Sequence, residues 1–214
     1  MPLVLSLLVL ASTVLLLRAE ARGHRQKVYV FKPLATTLIL VLALATPSPV
    51  SSVYQTFVVL GLLFSLAGDV FLMLPSDRFI AGLASFLVAH LLYIAAFHPA
   101  AGSAMSAWAL LPFLLYGAVL LRVLWPHLGR LGGPVLLYAA ALLVMGWQAA
   151  EQHLALHTAE TLAALTGAAL FVVSDSLLAF NRFVRPFRMA QPAVLSTYFA
   201  AQWLIALSVG FASI

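Results

Sequence analysis

The apolar positions of this chain fall into eight long runs, at about 2–17, 28–46, 53–74, 79–97, 106–124, 134–150, 159–180 and 192–213. At roughly 1.5 Å of rise per residue, each run is close to the length of a helix that crosses a hydrocarbon core of about 30 Å. The breaks between runs hold residues that end helices or make turns: Pro47-Ser48-Pro49, Pro75-Ser76-Asp77, His98-Pro99, Leu131-Gly132-Gly133-Pro134 and Arg185-Pro186. The pattern predicts an all-α integral membrane bundle of about eight transmembrane helices, built as a single polytopic domain over residues 1–214.

Composition agrees with that pattern. Of 214 residues, 64% are hydrophobic and 8% are charged, more apolar surface than a soluble domain of this size can bury. All eleven Lys and Arg fall in or beside the odd-numbered connectors. Arg18, Arg22, Arg25, Lys27 and Lys32 flank the first, Arg78 the third, Arg122 and Arg130 the fifth, and Arg182, Arg185 and Arg188 the seventh. Positive charge accumulates on the cytoplasmic side, so both termini are expected on the non-cytoplasmic side. The net charge of +5 is therefore spread over short loops, and no nucleic-acid partner is expected. The first run has no basic residues ahead of it, which predicts a retained helix rather than a cleaved signal peptide. The bias toward Ala, Leu and Arg points to a bacterial inner membrane.

Against this background, polar residues inside the runs stand out. Asp69 lies in LLFSLAGDVFLML and Asp175 in ALFVVSDSLLAF, and neither has a cation next to it in sequence. A carboxylate at membrane depth is costly to keep and marks a functional site. Both lie toward the cytoplasmic ends of runs that point the same way, about 7–8 Å inside. Lys32 opens the second run on that side, one turn before Thr36, and Tyr198 and Gln202 lie in the first turns of the eighth. His90 and Tyr93 share one face of the fourth run near mid-membrane. Gly61 and Ser65 precede Asp69 at steps of four, a face of small residues suited to helix packing. The small-Asp-x-(Leu/Phe)-Leu pattern recurs in the third and seventh runs, so two tandem four-helix halves are one possible arrangement. Glu151, Glu160, Asp77, His24, His98, His127, His153 and His157 fall in or beside connectors and are expected to be solvated.

Some chemistries have no support. There is no cysteine, hence no thiolate ligand or nucleophile, and no G-x-S-x-G elbow. No H-E-x-x-H or phosphate-cradling glycine loop occurs, and no metal or cofactor is expected. A proton-coupled transporter or lipid translocator would use the same aspartates as a relay. A metal-dependent membrane hydrolase is a weaker alternative.

The polar residues and their spacing resemble the YhhN-like lysoplasmalogenase family. The resembling pieces are Lys32-Pro33, Gly68-Asp69 with Leu72, and Phe79-x-x-Gly82-x-x-x-Phe86-x-x-x-His90-x-x-Tyr93, followed by Ser174-Asp175-x-Leu177-Leu178 and Tyr198-x-x-x-Gln202. The resemblance implies a polytopic hydrolase that cleaves the vinyl ether bond of a lysophospholipid substrate among membrane lipids, giving a fatty aldehyde and a glycerophospho-base. It also implies Asp69 and Asp175 as the catalytic pair, with Lys32, His90, Tyr93, Tyr198 and Gln202 in supporting or substrate-binding roles. A vinyl ether is acid-labile. Protonating its β-carbon gives an oxocarbenium ion, the kind of state that two-carboxylate glycosidases also stabilise. One aspartic acid must then arrive protonated and the other ionised; which is which stays open, as does the part Lys32 or His90 plays in setting it.

Overall fold

The computed structural model describes residues 1–98 and 107–210. Within them it contains eight α-helices and no strand: α1 (Pro2–Ala21), α2 (Arg25–Leu44), α3 (Ser52–Met73), α4 (Phe79–Ala96), α5 (Ala107–Leu128), α6 (Gly132–Leu156), α7 (Ala159–Ala179) and α8 (Ala190–Leu207). A 3₁₀ turn, Gly129–Leu131, joins α5 to α6, and a π turn, Phe180–Val184, extends α7. Position 106 and positions 211–213 of the expected runs, and Pro99 of a connector, lie outside the described residues.

Six stretches are long and apolar enough to cross a membrane: α1, α2, α3, α4, the run Trp108–Leu156 and the run Ala159–Val184. The 49-residue run Trp108–Leu156 is a hairpin, since Gly117 of α5 faces Leu143 of α6 and Phe113 faces Gly146. The eighth helix, α8, carries Gln191, Thr197, Tyr198 and Gln202 and is not one of these six stretches.

Most boundaries fall within four residues of the hydrophobic runs; the ends of α6 and α8, six residues off, do not. The sixth run was expected at 134–150, one of the two shortest of the set, yet α6 is the longest helix at 25 residues. Gln148 and Glu151 look like a helix end in sequence. They are buried instead, and the Trp147 indole donates to Glu151 Oε1 at 3.1 Å. Glu151 is thus a buried helical residue rather than a solvated connector residue. The second run begins three residues earlier than expected, so Lys32 and Pro33 sit well inside α2. Pro33 has no N–H to close the helical turn behind it, which frees the carbonyl four residues back.

Small residues let the helices approach. In lipid there is little hydrophobic drive between helices, so close backbone contact has to supply the packing energy. A Cβ on Gly68 would lie 2.6 Å from the Phe86 ring, and one on Gly82 would lie 2.6 Å from Leu72 Cδ2. The glycine and aromatic spacings of the third and fourth runs are therefore the two halves of the α3–α4 contact. One buried apolar cluster runs through α1–α4 and α6–α8, while α1 and α5 turn broad apolar faces outward.

The packing repeats. Asp69 and Asp175 are 106 positions apart, and the same shift carries 2–21 onto 108–127 and 52–73 onto 158–179, within about one residue of α5 and α7. In each half the first helix packs on the second, the second on the third and the third on the fourth. The last helix of each half packs on the second helix of the other, α4 on α6 and α8 on α2. The tandem arrangement considered from the sequence is thus the arrangement of the helices.

At Gly167, a Cβ would stand 2.9 Å from the Ala201 carbonyl oxygen and 3.2 Å from Ile205 N. Backbone atoms cannot swing aside as a side chain can. Gly167→Ala is expected to destabilise the protein by about 1–3 kcal/mol, read as a lower Tm in detergent. Gly133→Ala, whose Cβ meets nothing within 4 Å, should leave Tm unchanged or slightly raised.

Candidate functional site

Asp69 lies near the C-terminal end of α3 and is 1% exposed. Two other helices supply its partners. Lys32 Nζ of α2 is 3.2 Å from Oδ1. Thr36 Oγ1, one turn along α2, donates to Oδ2 at 2.7 Å, and the Tyr198 hydroxyl of α8 donates to the same oxygen at 2.8 Å. A cation and two hydroxyl donors are what an ionised carboxylate needs in a medium of low dielectric. Lys32 does not snorkel to the interface; it is buried against the acid.

Asp175 has different company. The Tyr138 hydroxyl of α6 donates a short hydrogen bond to its Oδ2. His90 Nε2 of α4 is 3.8 Å from the same oxygen, too far for a hydrogen bond. The His90 ring is fully buried, edge-on to Tyr138 and Phe171 with centroids 5.0 and 4.8 Å away. Among the described residues, no lysine or arginine pairs with Asp175.

The sequence placed His90 deeper than the aspartates, and the structure brings it beside Asp175. The π turn accounts for the difference. It carries helical backbone on to Val184, so roughly 13 Å of helix lies beyond Asp175 rather than 7–8 Å.

Both acids face one cavity of about 250 Å³, which Lys32, Tyr198, Phe86 and Leu72 also line. Arg78, Asp77 and Arg182 stand at its outer part. Arg182 pairs with Asp77 at 2.8 Å and lies over the Phe79 ring, both side chains being exposed. The aspartates share the cavity although α3 and α7 are not one of the packed helix pairs. Phe86 of α4 and Tyr198 of α8, edge to face at 5.7 Å, occupy the space between. Tyr93 and Gln202 bond to each other at 2.7 Å in the interior and do not line the cavity.

Tyr138 is the residue that the sequence reading missed, and the repeat holds the signal for it. The shift that carries Asp69 onto Asp175 carries Gly61 onto Gly167, Leu72 onto Leu178 and Lys32 onto Tyr138. Tyr138 lies 37 positions ahead of Asp175, as Lys32 lies ahead of Asp69. At one equivalent position the first half has an ammonium and the second a phenol.

The fold and cavity define an α-helical membrane protein with two acids gathered in one polar chamber. Residues 28–209 match the model of the YhhN family, and the chain belongs to that family. It is 34% identical over 193 residues to a protein of Escherichia coli named "Uncharacterized membrane protein YhhN", covering 89% of this chain and 91% of the relative. It is 37% identical over 160 residues to "Lysoplasmalogenase TMEM86A" of Bos taurus, covering 72% of this chain and 65% of the relative. With the "Lysoplasmalogenase" of Mycobacterium tuberculosis it shares 33% over 195 residues, covering 87% and 72%. No solved structure gives a significant match.

The ion pair makes a stability prediction that does not involve activity. Lys32→Met strands the Asp69 carboxylate and is expected to cost about 3 kcal/mol. Adding Asp69→Asn should recover a substantial part of that loss. A thermal or denaturant series on the two single variants and the double variant, in detergent, checks the coupling.

Proposed function

We propose that this protein is a membrane hydrolase that cleaves the vinyl ether bond of lysoplasmalogens, with Asp175 as proton donor and Asp69 as the fixed carboxylate. The observation that carries the reading is the shared cavity, in which two acids have unlike partners. The relatives named lysoplasmalogenase support the substrate class.

The chemistry assigns each acid a task. Asp175 has a hydrogen-bond donor but no cation, so it is the acid that can hold a proton for delivery. It transfers that proton to the vinyl carbon remote from oxygen, leaving an oxocarbenium ion. Asp69, held ionised by Lys32, Thr36 and Tyr198, stabilises that cation and orients a water toward the carbon bearing oxygen. Water adds, its proton returns to the Asp175 carboxylate, and a hemiacetal results. The hemiacetal hydroxyl proton moves to the glycerol oxygen as the carbon–oxygen bond breaks. One water is consumed, and a fatty aldehyde and a glycerophospho-base leave. Tyr138 positions Asp175, and His90 walls the acid off on its α4 side. Tyr93 and Gln202 brace the helices behind the site.

The membrane arrangement belongs to the same proposal. The chain crosses eight times, with α5 and α6 as separate spans and α8 as the last. Lys and Arg gather at the odd connectors, so both termini lie on the non-cytoplasmic side and the cavity opens toward the cytoplasm. In a bacterium this is the inner membrane.

The repeat of four helices favours a second reading, a proton-coupled carrier, because carriers are often built from such repeats. Micelles separate the two readings, since they have no compartments to transport between. Purified protein in detergent is expected to release aldehyde from a lysoplasmalogen. Asp69→Asn and Asp175→Asn should each lower kcat at least about 100-fold, and Tyr138→Phe about tenfold. No aldehyde from the folded wild-type protein, or full activity in both asparagine variants, would overturn the hydrolase mechanism.

A further inference from the structure

Asp175 lines a second, smaller space as well as the polar cavity. This is a narrow groove of about 50 Å³ bounded by α4, α5, α6, α7 and the π turn. The two spaces share Leu72, Phe79, Phe86, Asp175 and Leu178 as common walls. Beyond those, the groove is almost wholly hydrocarbon: Leu83 of α4, Leu120 and Leu124 of α5, Leu142 of α6 and Phe183 of the π turn. Its polar groups lie at the Asp175 end, namely the carboxyl itself, Tyr138 and Ser176.

The helix in front of this groove is α5. It packs on α6 and on the π turn, and its outer face is exposed, with Leu115 and Val119 both above half accessible. An exposed hydrogen bond, Tyr116 hydroxyl to Ser176 Oγ at 2.8 Å, ties its middle to α7 beside Asp175. Hydrocarbon from the bilayer therefore lies directly against the helix that covers the groove.

We infer that the groove under α5 is the subsite for the hydrocarbon chain of a single-chain lipid, whose headgroup occupies the polar cavity. The inference rests on the hydrolase reading and adds to it where the substrate lies. Three features commit the groove to that occupant. Away from the Asp175 end, its walls offer nothing to a polar group, which would be stranded there. It is continuous, through Asp175, with the cavity that holds Lys32 and Arg78, cations that suit a lipid phosphate. And the boundary between polar and apolar space falls at the residue assigned as proton donor. In an alkenyl lysolipid the vinyl group is the junction of glycerol and chain. A chain laid in the groove presents its first chain-side carbon to Asp175, while the carbon bearing oxygen faces the cavity and Asp69. The position of the groove thus determines which acid meets which carbon.

Two experiments test this, one independent of turnover. The first uses an alkyl-ether lysophosphoethanolamine, which has no vinyl bond to cleave, with a diazirine at the chain end. Photolysis with the folded wild-type protein in nanodiscs should label peptides that contain Leu83, Leu120 or Leu142. Labelling concentrated instead near Leu15, Val30 and Phe31, which line a separate surface pocket between α1 and α2, would overturn the inference. The second compares octadecenyl with butenyl lysoplasmalogens. Leu120→Trp, or Leu83→Trp should the first variant fold poorly, is expected to lower the long-over-short ratio of kcat/KM about tenfold or more. An unchanged ratio in a folded variant counts against the groove. If the wild-type protein cleaves neither substrate, the hydrolase reading fails, and the labelling pattern still judges the groove.

Discussion

A carboxylate inside a membrane needs partners, and the partners it has decide what it can do. Asp69 is held by an ammonium and two hydroxyls drawn from α2 and α8. Asp175 is held by a phenol from α6, with a buried imidazole just out of bonding range. The first set suits a charge that stays in place. The second suits a group that gives up a proton and regains it. Two acids with the same partners would divide no labour between them, and the proposed chemistry needs that division.

The difference arises from a repeat that has diverged. Four helices are followed by four more of the same order and packing, and the acids occupy equivalent places in the two halves. Lys32 and Tyr138 also occupy equivalent places, so one exchange of side chain separates a cation-paired acid from a phenol-paired one. The glycines at 61 and 167 keep the third helix of each half close to the fourth. That closeness lets side chains of α4 and α8 reach between the acids. The cavity is thus a product of the packing, and the acids meet across it without their helices touching extensively.

Much of this was legible in the sequence, because lipid imposes simple rules. Apolar run length placed most helices within a few residues, and the cost of burying charge singled out Asp69 and Asp175. Lys32 and Tyr198 were placed in the right layer, though their bonds to Asp69 were not visible. Lateral relations were the harder part. Depth follows from counting along one helix, whereas neighbours depend on how eight helices turn about their axes. Asp175 was set too shallow relative to His90 because a π turn lengthens the seventh helix. The end of α6 was misplaced because Glu151 read as a solvated connector residue when taken without its partner. Tyr138 escaped notice because a tyrosine in an apolar run is ordinary. Only the spacing shared with Lys32 sets it apart.

The most direct test of the proton-transfer chemistry is hydrolysis in D₂O with immediate trapping of the aldehyde. If Asp175 delivers the proton to the chain-side carbon within a closed groove, the aldehyde should carry one deuterium on the carbon next to the carbonyl, in a single configuration. Aldehyde without that deuterium, or with label on both faces in equal amounts, would contradict proton delivery by a fixed acid.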